Sequence, residues 1–530
     1  MIFIALLLVA LVVLYIHGTK NHNYWKDKGV KHDKPVFLFG TNTRNYLLRK
    51  SFTELLAEYY WKYPAEKVVG AYRSNTICLV LRDPDLIKQV LTTDFLYFYG
   101  RGLITNEDVV EPMMKNLFFV DGDLWRLLRQ RMTPAFTSGK LRAMFPLIVE
   151  RAEKLQTRTA NAAAEGRSMD ARELMARYTT DFIGACGFGL DADSLNDEES
   201  DFRKLGVKIF TITFRDAIVI YLKDLFPGLF KSFKQLGAVE HELTDLVKAI
   251  LKQRNYQPSA RNDFIDLLIE CRNKGILKGE SIEKFKQDGS PEVASAVLDE
   301  ALMAAQVFVF FAAGFETSSS ATSYTLHQLA FNPEVQEKVQ EDIDRVLAKH
   351  NNKLSYDAIQ EMTYLDWTFK EAMRMFPSLG FLIRKCAKKY TFPKIDLTID
   401  PGVRVFVPLC ALHMDPQYFD NPQEFRPERF DPAVSDSTIK NIYLPFGVGP
   451  RACIVVGGTG GGVVALLGAT GAADGAPSEG QPSLRNSAKH KGRAPVTVRG
   501  KKIVQALVKV GTSEDLSHVC VTVGHLHQYS

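Results

Sequence analysis

From Ala296 to Ala330 the sequence carries a helical pattern that is apolar on nearly every side, most densely from Val307 to Ala313. A helix of that kind cannot lie on a surface; it has to run through the core of a large domain. The chain is long enough to surround it, with 530 residues of which 46% are hydrophobic and 24% charged. Such a composition excludes a disordered, collagen-like or disulfide-stapled protein. It also excludes a polytopic membrane protein, because only one continuous apolar run approaches bilayer length.

Most of the rest reads as helix. Glu334 to Leu347 places Val335, Val339, Ile343 and Val346 along one stripe, with Asn332-Pro333 as its start signal. Strand-like alternation is confined to Val68–Leu81 and Leu397–Val407, and Pro416, Pro422 and Pro427 forbid regular helix in Met414–Phe430. Gly184, Gly187 and Gly189 follow a helical pattern and are expected to allow close helix packing. The expected fold is mainly α with small β-sheets, an α+β domain over residues 21–454.

The two ends differ from this middle. Met1 to Ile16 holds only apolar side chains and Tyr15. As a helix it spans roughly 24 Å, close to a thin bilayer. No basic residue precedes it and no small-residue cleavage site follows, so residues 1–20 read as a signal anchor rather than a cleaved leader. Lys20, Lys26, Lys28, Lys31 and Lys34 follow, keeping the remainder cytosolic, with Tyr24 and Trp25 as expected interfacial anchors. Cysteines in that reducing compartment are not expected to pair. For Cys78, Cys186, Cys271, Cys386, Cys410 and Cys520 the reading is of small, mostly buried apolar residues.

The chain changes character after Ile454. Thirteen of the 36 glycines but only Tyr529 of the aromatics fall in residues 455–530. This tail is expected to pack poorly, and the abrupt switch suggests an altered reading frame, a retained intron or a misassigned gene end. It also supplies +4 of the +5 net charge, from eight basic and four acidic residues. That leaves no basis for nucleic-acid binding by the protein as a whole. Gly460 to Ala465 fits G-x-G-x-x-A, but no alternation of strand and helix follows, so no flavin or nicotinamide site is expected in this chain.

The chemistry concentrates in Pro445-Phe-Gly-Val-Gly-Pro-Arg-Ala-Cys453-Ile. A Gly/Pro-rich loop presents one sulfur at a defined place. Backbone N–H groups and Arg451 nearby are expected to lower its pKa. No Cys or His lies at zinc-ligand spacing, whereas one thiolate suits the axial position of a haem. Phe446 to Cys453 resembles the haem-binding signature of the cytochrome P450 family, F-x-x-G-x-R-x-C. Three further motifs stand in family order. Glu371-Ala-Met-Arg374 resembles its E-x-x-R pair, which in the family is a buried scaffold locked to an arginine, here Arg429 of Pro427-Glu-Arg-Phe430. Ala313-Gly-Phe-Glu316-Thr317 is similar to A-G-x-[DE]-T, where the acid and hydroxyl widen the helix and relay protons. Trp125 and Arg129 resemble the W-x-x-x-R helix, and Arg384 matches the arginine beyond E-x-x-R. With Arg451 these make three candidate cations for the two haem propionates.

The resemblance covers most of residues 35–454 and leans toward insect microsomal members tied to xenobiotic and plant-toxin oxidation. It implies a haem b enzyme of the endoplasmic reticulum, its catalytic domain on the cytosolic face. Such an enzyme inserts one atom of O2 into a hydrophobic small molecule, with electrons from an NADPH-dependent flavoprotein reductase. Phe118, Phe119 and Phe210 to Ile218 are expected either as cavity walls or as core packing. The departure comes after the ligand: Cys453-Ile454-Val455 stands where the family has Cys-x-Gly and a further helix. The alternative is therefore a catalytically impaired or haem-free protein of the same ancestry.

Overall fold

The apolar pattern in the middle of the chain becomes a 32-residue helix over Glu300–Phe331, most of whose apolar stretch is enclosed. The computed structural model describes residues 1–455 apart from 168, 198, 212, 262 and 435–438. This core helix starts later than the pattern does. Asp299 accepts the N–H of Leu302 at 2.7 Å and caps it, while Pro291–Ala296 is drawn into a strand. Between Ala313 and Thr317 the helix widens by a residue per turn. A neighbouring helix, Ala171–Ile183, crosses close to that turn: a Cβ added at Gly314 would lie 2.7 Å from Ile183 Cδ1. Its own C-terminal glycines continue it as a second widened turn, Gly184–Phe188, with Gly189 left-handed at φ 68°.

Around the core helix lie Gly122–Met132, Ser138–Ala164, Pro333–Lys349 and Thr363–Met375. The strands, in chain order, are β1 (Val68–Arg73), β2 (Thr76–Leu81), β3 (Leu277–Phe285), β4 (Pro291–Ala296), β5 (Leu382–Lys385), β6 (Tyr390–Phe392), β7 (Leu397–Ile399) and β8 (Arg404–Val407). One four-stranded sheet has the order β1-β2-β8-β5, with β2 and β8 parallel; β3-β4 and β6-β7 are separate antiparallel pairs. Met414–Phe430 is irregular except for a single turn at Pro427–Phe430. This is the mainly α fold with small sheets that the sequence implies.

The N-terminal helix Ile2–Thr19 is exposed along nearly its whole length. One expectation nearby needs correction. Trp25 is wholly buried, its ring against Gly70 and its Nε1 donating to the Ala71 carbonyl at 3.1 Å, so it anchors the chain to β1 and not to an interface. Tyr24 donates to Asp400 at 2.8 Å. Cys78, Cys186, Cys271 and Cys386 are buried, as the sequence suggests, and Cys410 is half-buried. Cys520, the Gly460–Ala465 motif and the tail beyond Val455 lie outside the described residues.

Candidate active site around Cys453

The site is built outward from a buried ion-pair network. Arg374 donates from Nε and Nη2 to the two oxygens of Glu371 at 2.8 and 2.9 Å. Arg429 donates to Glu371 at 3.1 Å and to Asp420 at 2.6 Å. Side chains of Glu371, Arg374 and Arg429 are 0–2% exposed. The remaining donors of Arg374 go to the carbonyls of His413 and Pro422, at 2.9 and 2.8 Å. Every charge is thus paired and hydrogen-bonded, the condition under which burial is tolerable.

His413 carries the network onward. Its Nε2 accepts the backbone N–H of Leu444 at 3.0 Å. Burial, reinforced by the charge of Arg374, pushes its pKa down to about 3 and keeps the ring neutral. From Leu444 the chain enters the cysteine loop, closed by Gly447 N–H to Leu444 O (2.9 Å), Ala452 N–H to Gly449 O (3.0 Å) and Cys453 N–H to Phe446 O (2.9 Å). Gly447 and Gly449 have φ of 67° and 74°, and a Cβ on Gly449 would collide with the Leu91 carbonyl. Phe446 itself packs against the core under this loop.

Arg451 is where the structure departs from expectation. It was a candidate cation for a bound carboxylate, yet its donors are taken: Nε by Tyr99 O at 2.8 Å, Nη1 by Val120 O at 3.0 Å, Nη2 by Asp121 at 2.8 Å. Its guanidinium lies 4.0 Å from the centre of the Trp125 ring. Both residues are struts of the loop. Arg129 donates to the Ala452 carbonyl at 2.7 Å. Arg384 is buried and its Nε has no partner. A fourth cation, Arg101, escaped the sequence reading because it belongs to no motif; it donates to Phe118 O at 3.0 Å and Arg451 O at 3.3 Å. Burial, with Arg101 beside it, pulls Arg384 down to about 9, and burial pulls Arg101 down to about 10. Asp121 is the carboxylate that faces both of them and Arg451. A cluster this rich in buried cations, with an orphaned Arg384 donor, fits a dianionic edge such as a pair of propionates.

The sulfur faces an apolar cavity of about 250 Å3 that Phe310, Ala313, Gly314 and Thr317 of the core helix also line. The side chain of Cys453 is accessible from this cavity. Its pKa is not lowered as the loop suggested. Burial pushes the thiol up, and the N–H of Val455 with the charges of Arg129 and Arg101 pull only part of the way back. A sulfur so placed suits a metal that replaces its proton.

On the helix side, Thr317 donates to Ala313 O at 2.6 Å and lines the cavity. Glu316 turns away, 3.5 Å from Arg172 and 3.3 Å from the Ser320 hydroxyl. The two residues share the widened turn but not the cavity wall. Phe118, Phe119 and Phe210 to Ile218 do not line this cavity either. Phe118 stacks on Arg101, Phe210 packs on Phe315, and Phe214 and Ile218 are exposed.

Held this way, one sulfur and a group of guanidiniums can grip a metal and the acidic rim of a flat cofactor from the same side. The family model for Cytochrome P450 matches residues 32–454, and the chain belongs to that family and is a monooxygenase. It is 36% identical over 461 residues to cytochrome P450 6B2 of Helicoverpa armigera, covering 85% of this chain and 88% of that protein. Against cytochrome P450 6B5 of Papilio glaucus it is 36% identical over 445 residues, 83% of this chain and 90% of the relative. Probable cytochrome P450 6a13 of Drosophila melanogaster is 36% identical over 449 residues, covering 84% and 86%.

Proposed function

We propose that this chain is a membrane-anchored haem-thiolate monooxygenase that catalyses RH + O2 + 2 electrons + 2 protons to ROH + H2O on a hydrophobic small molecule: a xenobiotic, a plant toxin or an endogenous lipid. The observation that carries the proposal is that Cys453 and Thr317 line one cavity, with Arg129 and Arg101 close enough to the sulfur for their charges to act on it. A bound haem supplies oxygen activation. The protein supplies the rest. Cys453 would hold the metal through its sulfur, and Arg384, Arg101 and Arg129 would offer charge to the propionates. Arg451 and Trp125 fix the loop. Thr317 holds a proton on Oγ1 at the cavity wall. Glu316 holds or yields one a residue away, where partly exposed Arg172 connects it toward solvent. Phe310 and Ala313 keep the wall apolar, which favours substrates by shape.

The exposed Ile2–Thr19 helix and the basic residues after it support an anchor in the endoplasmic-reticulum membrane, with residues 21–454 as the cytosolic haem domain. Electrons then come from a separate NADPH-dependent flavoprotein reductase.

One observation favours a second reading, a protein of this ancestry that holds haem poorly. The family match stops at residue 454, and the cavity beside Cys453 is lined by Val455 together with residues of Ser138–Ala164 and Ala171–Ile183. The reduced, CO-bound difference spectrum of the purified full chain separates the two. A red-shifted thiolate-type Soret band supports the monooxygenase; a histidine-like band, or none, overturns it.

A further inference from the structure

We infer that Asp121 is a positioning residue for the cysteine loop, clamping Arg451 to the backbone at Arg101 and Gly102 and so fixing where the Cys453 sulfur sits. Both carboxylate oxygens are used. Oδ1 accepts from Arg451 Nη2 at 2.8 Å and from Arg101 N–H at 2.7 Å, and Oδ2 accepts from Gly102 N–H at 2.8 Å. The clamped guanidinium is 0% exposed and also held by the Tyr99 and Val120 carbonyls, so it has one place to be. Arg101 closes the ring by donating to the Arg451 carbonyl at 3.3 Å, and Arg129 fixes the next carbonyl, that of Ala452. The two residues preceding the sulfur are thereby tied to the segments at 99–102 and 120–129. Asp121 touches neither the cavity nor Thr317; it acts through Arg451.

Left without Asp121, Arg451 keeps its two carbonyl partners but loses its charge partner, and Arg101 and Gly102 lose the acceptor for their backbone N–H groups. The loop then gains freedom along the direction that sets the sulfur. The spectroscopic consequence rests on the haem-thiolate reading; the geometric one does not.

The test is Asp121→Asn in the full-length chain. Three quantities are followed: alkylation of Cys453 by a maleimide in the haem-free protein, read by peptide mass; the share of thiolate-type band in the reduced CO spectrum; and the unfolding midpoint. Expected is alkylation about tenfold faster, the size of a lost hydrogen bond to a charged group, and a smaller thiolate-type share. Arg451→Lys should match it, and the double variant should be no worse than either single one. Wild-type alkylation and band share in D121N overturn the inference, even if the unfolding midpoint falls, because that pattern marks a purely structural residue. Should D121N not fold, D121E, which keeps the charge but displaces the carboxylate, must show the same changes in smaller degree, and its failure to do so equally overturns the inference. A wild-type chain that takes up no haem counts against the proposed function, while the alkylation arm still decides the role of Asp121.

Discussion

The Nε2 of His413 accepts the backbone N–H of Leu444 at 3.0 Å, and through that bond the buried Glu371–Arg374–Arg429 network reaches the loop that ends at Cys453. An acceptor nitrogen cannot carry a proton, so the ring's hydrogen sits on Nδ1.

This bond makes the protein acid-sensitive. The folded pKa of about 3 lies below the ordinary value of 6.5, so the unfolded chain takes up a proton that the fold refuses. Stability is fully present above about pH 6.5 and falls as pH drops toward 3, by ~1.4 kcal/mol per unit for this one group. Thermal unfolding between pH 7 and pH 5 should show a shallower pH dependence in His413→Asn than in the wild type. Equal slopes would remove His413 as the cause.

Glu371→Gln should be severely destabilising without altering any group in the cavity. It leaves Arg374 and Arg429, both buried, short of their negative partner. Breaking such a pair costs ~3–5 kcal/mol. Urea unfolding measures it, and a loss below ~1 kcal/mol would mean that the network is not the scaffold described.

Cys453→Ser should keep the helical far-ultraviolet dichroism and lose the thiolate-type CO band. The side chain lines the cavity and belongs to none of the buried apolar clusters, so the fold has little stake in its sulfur. A variant with an unchanged spectrum would remove Cys453 as the ligand.

Arg384 and Arg451 should respond in opposite ways. Burial holds Arg384 at about 9, below its usual range, so its charge at neutral pH works against the empty fold. Arg384→Met should therefore raise the unfolding midpoint of the haem-free chain while hastening haem transfer to an acceptor apoprotein. Arg451→Met discards three hydrogen bonds and the stack on Trp125, and should lower the midpoint whether or not haem is bound. Differential scanning fluorimetry with and without haem distinguishes the two.

What could be read from the sequence was whatever depends on local spacing. The apolar core helix, the stripe at Val335–Val346, the strands within Val68–Leu81 and Leu397–Val407 and the proline-broken segment after Met414 each follow from side-chain period or backbone restriction, and each is present, whereas β3 to β6 fall outside the segments where alternation was read. The cysteine loop was legible because its glycines and its sulfur are neighbours in the chain. Arg101, Asp121 and His413 were not, since each acquires its meaning from a partner far along the sequence: Asp121 and Arg451 are 330 residues apart, His413 and Leu444 31. The thiol pKa went the other way for a similar reason. Counting nearby donors ignores desolvation, which dominates once the loop is buried. Trp25 misled because an aromatic beside lysines looks like a lipid-facing residue until its indole is seen to donate into β1.

Trp25 has one more consequence. Only five residues lie between it and Thr19, the last residue of the apolar helix. His17 Nε2 lies 2.7 Å from the Leu225 carbonyl, and its ring stacks on Phe226. The N-terminal segment is therefore a short, bolted strut rather than a slack leash, and whatever surface grips the helix also dictates the heading of the whole body above it.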